Sequence, residues 1–380
     1  MQIDVIRNLD QLTGLHDAWN QSVAESNFDS VFVTHEWFYC WLKNFAPNQN
    51  IYIVIARDND VLLGIMPLLL EQRRHGIWTQ TILKSMTNMQ TYKYNLIICK
   101  ERAEEILAAM FRYLNQNLPW TSMILDFVPA TAANIPLLND ISGKSFYALR
   151  SEIQMESPYL AIEGTWDDYL KARDKKVRKN WDYFERKLDK QGSAEVVSCT
   201  NGPDIDQSIQ QALAIEQSSW KGDHGTAIAN SQAESNFYLD LGITMSRCNK
   251  FGLHFLTLDE NKIAFDYCLT HKDHFNVLKT GYDPAYSKSS PGRVLHKKIL
   301  RQLYEDDTYK IYDLLGARDN WKTEWTGDVQ TLLHIHIYNR RPMAIFSYTI
   351  VNLMANIKEM LRRHPSLFQA IKKLYLRFKG

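Results

Sequence analysis

One stretch constrains the fold more than any other: Lys279-Thr280-Gly281-Tyr282, a short loop holding Tyr286 and Lys288, then Ser290-Pro291-Gly292-Arg293. The run His274 to Lys279 alternates as a strand does, and Val294, Leu295, Ile299 and Leu303 recur at helical spacing behind it. A strand therefore hands over to a helix here. Ser290 suits the N-cap, and Pro291 suits the first helical position, where a missing N–H is harmless. Gly292 lets a ligand come close to the backbone. The unpaired N–H groups of that turn, with Lys288 and Arg293 beside them, suit an anion such as a pyrophosphate, although an ordinary capped helix has the same local pattern.

The rest of the chain sets limits on this reading. Its 380 residues suit two domains or one large one, and 45% hydrophobic composition is enough for real cores. Lys and Arg number 44 against 43 Asp and Glu, so no global field points to DNA, and any basic surface must be local. The five cysteines are scattered without CxxC spacing, which favours reduced thiols in a cytoplasmic protein and gives no reason to expect a metal. Met1 to Val5 has no basic region followed by an apolar run, so no signal peptide is read there. The apolar stretch Met343 to Ile357 is broken by Ser347, Asn352 and Asn356 and is too short to span a bilayer.

In chain order, Met1 to Arg7 reads as an edge strand, followed by a helical stripe of Leu12, Leu15, Trp19 and Val23. Thr34 caps a helix carrying Trp37, Phe38, Trp41 and Phe45. Ile51 to Ala56 and Val61 to Leu70 form a hairpin, with Pro67 asking for a bulge or an edge position. Strand-like pieces at Thr81 to Leu83 and Asn95 to Cys99, a helix from Ala103 to Leu114 and a strand at Met123 to Val128 follow. Trp166, Leu170, Val177, Trp181, Phe184 and Leu188 line one face of a long helix whose other face is strongly basic. That face reads as solvated, with Asp174, Asp182, Glu185 and Asp189 as its partners, or as a seat for an anionic group.

Pro203 opens a helix on which Ile205, Ile209, Leu213, Glu216 and Trp220 share one face. A carboxylate among apolar neighbours must be paired or protonated, so Glu216 is either a satisfied structural acid or a general base. Ser219 to Gly225, with Trp220 and Lys221, reads as a loop able to close over a substrate. Strands at Leu253 to Leu258, Ile263 to Thr270 and Phe275 to Thr280 form a meander, Lys310 to Leu315 a further strand, and Val329 to Tyr338 the last. His334 and His336 share a face there and read as paired surface histidines, since no third metal ligand is near. In the tail, Leu367, Ile371, Leu374 and Phe378 oppose Lys372, Lys373, Arg377 and Lys379. That amphipathic helix over 366–379 either packs on the body or rests on an anionic membrane.

The hairpins at Arg57 to Asp60 and Asp259 to Lys262 lie roughly 200 residues apart, each behind a helix with large side chains facing in, which suggests two like halves. Several pieces recur together in order: Glu36-Trp37, Gly64 to Leu68, Arg178 to Leu188, Glu216 with Ser219 to Gly222, Lys279 to Asp283, Ser290 to Gly292, Asp313, Trp321-Lys322 and Trp325. On them, Thr34 to Trp325 resembles the bacterial GNAT-like acetyltransferases grouped with cellulose-biosynthesis-associated proteins, relatives of the Fem-type aminoacyltransferases. Two departures bear on the acceptor pocket more than on the fold. The family usually has Tyr where this chain has Trp321, and a glycine-rich or acidic stretch where Gly316-Ala317-Arg318 is partly basic.

The resemblance implies an α/β (α+β) fold of tandem GNAT-like domains, with mixed, largely antiparallel sheets flanked by helices and a C-terminal helical extension. The expected division is 1–156, 157–340 and 341–380, with the active cleft in the second copy. Acyl-CoA is the implied co-substrate, held by Lys279, Lys288 and Ser290 to Arg293. Glu216 is the expected base, Tyr282 or Tyr286 the acid for the thiolate, and Trp220, Lys221, Asp313, Lys322 and Trp325 the acceptor side. The acceptor is an amine or hydroxyl of a small molecule, sugar or lipid-linked group. Two other readings remain: a Fem-type enzyme that takes aminoacyl-tRNA to a cell-wall precursor, and a non-catalytic scaffold in a polysaccharide or lipid assembly.

Overall fold

The computed structural model describes residues 1–46, 50–75, 78–218 and 231–363, with residues 75, 78 and 354–363 described by backbone alone. The first half runs β1 (Gln2–Ile6), α1 (Leu9–Thr13), α2 (His16–Glu25), α3 (His35–Phe45), β2 (Asn50–Asp58), β3 (Val61–His75), β4 (Trp78–Ser85), β5 (Ile97–Ile98), α4 (Ala103–Asn117), β6 (Ser122–Pro129), α5 (Asn134–Ile141) and β7 (Ala148–Ala161). Two connecting helices follow, α6 (Trp166–Ala172) and α7 (Lys175–Asp189). The same succession then returns as β8 (Ala194–Cys199), α8 (Ile205–Ser218), α9 (Gln232–Arg247), β9 (Phe251–Leu258), β10 (Asn261–His271), β11 (His274–Tyr282), α10 (Pro291–Asp306), β12 (Ile311–Asp313), α11 (Asn320–Thr323) and β13 (Val329–Tyr338). α12 (Pro342–Arg363) closes the described chain.

The strands lie side by side in the order β1-β2-β3-β4-β6-β13-β7-β12-β11-β10-β9-β8, with β5 against β3. Read inward from either end, this is one pattern written twice. Each half contributes a meander and then one parallel neighbour, β4 with β6 and β11 with β12. The last strand of each half crosses over: β7 pairs with β12 and β13 with β6, while β7 and β13 pair with each other. The expected boundary at residue 156 thus falls inside β7, a strand of the first half that edges the sheet of the second.

Side-chain chemistry explains the elements. β2 is buried at every position from Ile51 to Ala56, as a continuous apolar run should be when both faces are covered. Thr34 caps α3, its side chain accepting from the Trp37 N–H. The aromatic face of α3 meets α9, with Phe237 edge-on to Trp37 at 5.5 Å and 4.8 Å from Phe45. These two helices hold corresponding places in the halves, so one core runs through both. The long helix expected over Trp166 to Leu188 is two helices. Asp174 ends the run because its carboxylate accepts from the Lys176 N–H and starts α7 afresh. Pro67 lies on an interior strand, not at an edge. It is tolerated because β5 pairs with Gly64 and Ile65 and β4 pairs only from Leu68 on, which leaves a gap opposite the missing N–H.

Candidate active site

The second parallel pair opens instead of continuing. β11 and β12 pair only at His274–Ile311, Phe275–Tyr312 and Asn276–Asp313. Beyond that point the Leu314 N–H donates to Pro158 O of β7, so β12 follows β7 while β11 leaves it. A bulge drives the departure. Tyr267 faces Lys279 but Cys268 faces Val277, so Leu278 is an extra residue in β11. A cavity of about 490 Å³ fills the opening, with Leu278, Lys279, Thr280 and Tyr282 on one side, Leu314 and Leu315 on the other, and the first turns of α10 at one end.

That end has the features of an anion seat. Ser290 is left-handed (φ 44, ψ 56) and its side chain makes no capping bond, so the turn is not closed by its own hydroxyl. Pro291 is buried at the first helical position. A Cβ built on Gly292 would find only Tyr282 Cδ1, at 3.9 Å, so space lies in front of that backbone. Arg293 lines the cavity but is already engaged. Its Nε and an Nη reach both oxygens of Glu324 at 2.8 Å, a bidentate pair that raises the guanidinium pKa. Lys288 is exposed outside the cavity, and its carbonyl accepts from Lys187 Nζ of α7 at 2.8 Å. The features that suit an anion are therefore those of the backbone, with the Arg293 side chain engaged by Glu324 and Lys288 outside the cavity.

The other expected residues divide into wall, support and core. Tyr282 is on the wall, whereas Tyr286 packs against the hydrophobic core of the second half and does not line the cavity. Lys279 is on the wall with its ammonium 5.3 Å from the Tyr238 ring centroid. Lys322 is buried on the wall, bonding Leu315 O and, at 3.1 Å, Ala317 O, which holds the left-handed turn at Leu315 and Gly316. Asp313 lies behind the wall, 2.6 Å from buried Lys93 of the first half and accepting from the Leu315 N–H. Trp325 corrects the sequence reading. It is fully buried, stacked on Trp181 at 4.2 Å, because its spacing belongs to core packing and not to a ligand face. Glu216 is 1% exposed and does not line the cavity. It sits close to Tyr92 and Tyr238, whose hydroxyls burial first, and its charge among the other causes, hold well above the ordinary range. Trp220 and Lys221 lie outside the described residues, as does the tail over 366–379.

Sequence reasoning missed three wall or support residues, Tyr92, His296 and Asp266, and singled out a fourth, Trp321, only as a departure from the family pattern. Tyr92, from the first half, donates from its hydroxyl to Leu278 O at 2.6 Å and so pins the bulge. His296 and Trp321 stack with centroids 5.2 Å apart, both on the wall. Asp266 of β10 is completely buried, facing Thr280 in register and 3.1 Å from His296 Nδ1. The signals were available: an acid inside the apolar run Ile263 to Thr270, and an imidazole among Val294, Leu295 and Ile299.

The basic face of α7 also differs from expectation. Asp182 and Glu185 turn to Lys297 of α10, at 2.7 Å each, and Asp174 caps the helix. Lys175, Lys176, Lys179 and Arg186 stay exposed on the helix that is tied to the cavity rim through Lys187. On β13, His334 bonds Asp126 at 2.7 Å and His336 stacks on Tyr338, and no metal-binding group occurs among the described residues.

Among the described residues the corresponding gap of the first half, where β4 and β6 pair only at Ile82–Ser122, Leu83–Met123 and Lys84–Ile124, is filled. Tyr94, fully buried, donates its N–H to Phe127 O and its hydroxyl to Pro67 O, and so occupies the space where β4 and β6 would part.

Comparison with known proteins agrees with this asymmetry. Residues 175–323 match the family model of the acetyltransferase (GNAT) domain, a span that holds the opened strands, α10 and α11. The chain is therefore an enzyme with an acyltransferase domain of GNAT type. Solved structures extend the likeness to the whole fold. FemX shares 8% identity at a TM-score of 0.59, covering 90% of this chain and 98% of that one. L-PGS from Bacillus licheniformis shares 8% at 0.53, covering 93% and 99%. The C-terminal domain of a putative lysylphosphatidylglycerol synthetase from Agrobacterium fabrum shares 12% at 0.51, covering 90% and 97%. No curated protein matches the sequence.

Proposed function

We propose that the chain moves an acyl group from acyl-CoA to an amine or hydroxyl of a small-molecule, sugar or lipid-linked acceptor. The observation that carries this reading is the bulged, opened strand pair facing a helix N-terminus with no side-chain cap. The diphosphate of the donor rests on the backbone from Ser290 to Arg293. A main-chain N–H at the bulge around Leu278, whose carbonyl Tyr92 holds, polarises the thioester carbonyl and stabilises the oxyanion. Glu216, behind Tyr92, takes the acceptor's proton through an intervening water. Lys279 and Lys322 face the acceptor. Direct transfer needs no covalent enzyme intermediate. Polysaccharide biosynthesis and a cytoplasmic setting remain part of this proposal, as does the division of the chain at residue 156.

α12 adds a reason to favour an acceptor at a membrane. Phe346, Ile350, Val351 and Leu353 are exposed on it, and residues 340–380 hold nine Lys and Arg against one acid in a chain of net charge +1. No helix among the described residues is long and apolar enough to cross a membrane.

One observation favours the Fem-type reading: the exposed lysines of α7 beside the cavity rim suit an RNA backbone. Native mass spectrometry of the purified protein separates the two readings. A retained CoA or acyl-CoA adduct supports the first. Binding of aminoacyl-tRNA with a steep salt dependence, and no CoA adduct, supports the second. Neither ligand bound leaves the scaffold reading.

A further inference from the structure

The cavity has a buried acid behind it that the scheme above does not use. Asp266 is 0% exposed and no lysine or arginine pairs with it among the described residues, an arrangement that an unneeded carboxyl in a core does not survive cheaply. Its neighbours are the Thr280 hydroxyl and the imidazole of His296, whose Nδ1 is 3.1 Å from Asp266 Oδ2 and 2.6 Å from the Tyr312 hydroxyl. His296 is itself on the cavity wall, its ring held flat by Trp321 at an interplanar angle of 24°. The cluster therefore runs from a sealed carboxyl, through one imidazole, to the space where the donor lies.

We propose that His296 hands a proton from the Asp266 carboxyl to the leaving group of the acyl donor. This rests on the reading of the cavity as the donor site. The Tyr312 hydroxyl donates to Nδ1, with Asp266 Oδ2 3.1 Å from the same nitrogen, which places the ring proton on Nε2. When the tetrahedral intermediate collapses, the C–S bond breaks and its electron pair goes to sulfur. The sulfur takes the Nε2 proton while Nδ1 takes the carboxyl proton, leaving a thiol, a neutral imidazole of the other tautomer and an Asp266 carboxylate. A solvent proton taken up at Nε2, with the Nδ1 proton returned to the buried carboxylate, restores both the carboxyl and the starting tautomer before the next turn. The same steps serve an ester donor, with oxygen in place of sulfur.

The charges around the cluster suit this task. Burial pushes the Asp266 carboxyl up to about 8, with the Thr280 hydroxyl pulling the other way, so it carries a proton at neutral pH. Burial, then the charges of Lys322 and Arg293, lower His296 to about 3, so the imidazole relays a proton without resting as a cation. Tyr312 and Cys268, the other titratable groups near Asp266, are pushed well above their ordinary values and stay neutral. Of the two tyrosines considered for this role, Tyr286 does not line the cavity, and Tyr282 is the competitor to be tested.

The experiment compares two donors, acetyl-CoA and the acetyl thioester of para-nitrothiophenol, whose thiolate departs without a proton, with hydroxylamine as acceptor for both. His296→Gln is expected to lose about 100-fold or more with acetyl-CoA and less than about 5-fold with the aryl thioester. Asp266→Asn should show the same split, about 10-fold against little change. Tyr282→Phe should show none. Equal losses with both donors, or no loss with either, overturn the proposal, and a split in Tyr282→Phe alone reassigns the acid. CoA affinity by calorimetry and the melting temperature are measured for each variant. A folded parent that binds no CoA overturns the donor reading and this proposal together, whereas CoA binding with an unsplit loss overturns the proton role alone.

Discussion

Asp266 shows how one side chain sets both chemistry and stability. Its folded pKa, about 8, lies above the ordinary value of 3.8, so between these two limits the folded state holds a proton that the unfolded state has lost. Stability from this group is complete below the lower value and disappears as the pH rises through the upper one. Asp266→Asn removes that dependence. The melting temperature of the variant relative to the parent is expected to climb between about pH 5 and about pH 8, and a gap that does not change with pH would contradict the burial argument. Individual residues were legible in the sequence where they broke a pattern. Glu216 was read as an acid on an apolar face, and it is buried there. Its separation from the cavity wall was not legible, because helical spacing fixes a face and says nothing of which neighbouring element stands in front of it. Trp325 failed for a related reason, since an aromatic near a cleft and an aromatic in a core have the same spacing.

Elements were legible where periodicity was strong, as in β13, whose limits match the expected strand, and in the Pro291 start of α10. The bulge at Leu278 was not, because a bulge is a property of two paired strands and β10 carries no mark of it. The contacts that hold the opened strands apart were equally hidden, since Lys93 and Asp313 come from opposite halves. This pair is buried on both sides, so removing one partner strands the other. Lys93→Met is expected to cost about 3–5 kcal/mol in urea unfolding, and the double change with Asp313→Asn should recover most of it. A single variant as stable as the parent would show that the pair does not hold β12 in place. Glu36 forms a second tie, from α3 to Lys250 and Cys248 near the end of α9. Burial opposes its ionisation, but backbone and Asn20 hydrogen bonds and the Lys250 charge hold it down at about 2. Its stabilising effect is thus present above the ordinary 4.5 and is lost only as the pH falls through about 2.

At the scale of the whole molecule, the doubling was faintly visible as two hairpins, but the exchange of β7 and β13 was not, because strand order depends on which edges remain open once each meander has formed. The exchange makes the halves depend on each other. A chain divided in the loop between β7 and α6 is expected to give two fragments that fail to fold as separate monomers and that regain the parent circular dichroism when mixed. Two fragments that each elute as a folded monomer would contradict it. The halves also differ in use: Tyr94 fills the strand gap of the first, and a cavity fills that of the second. The central claim is that this second gap alone seats the donor, and calorimetric titration with CoA tests it most directly. The parent and Glu104→Trp, at the corresponding helix start of the first half, should each bind one CoA per chain, while Gly292→Trp, whose side chain would extend into the open space, should lose binding by at least about 100-fold. Undiminished binding by a folded Gly292→Trp protein would contradict the account.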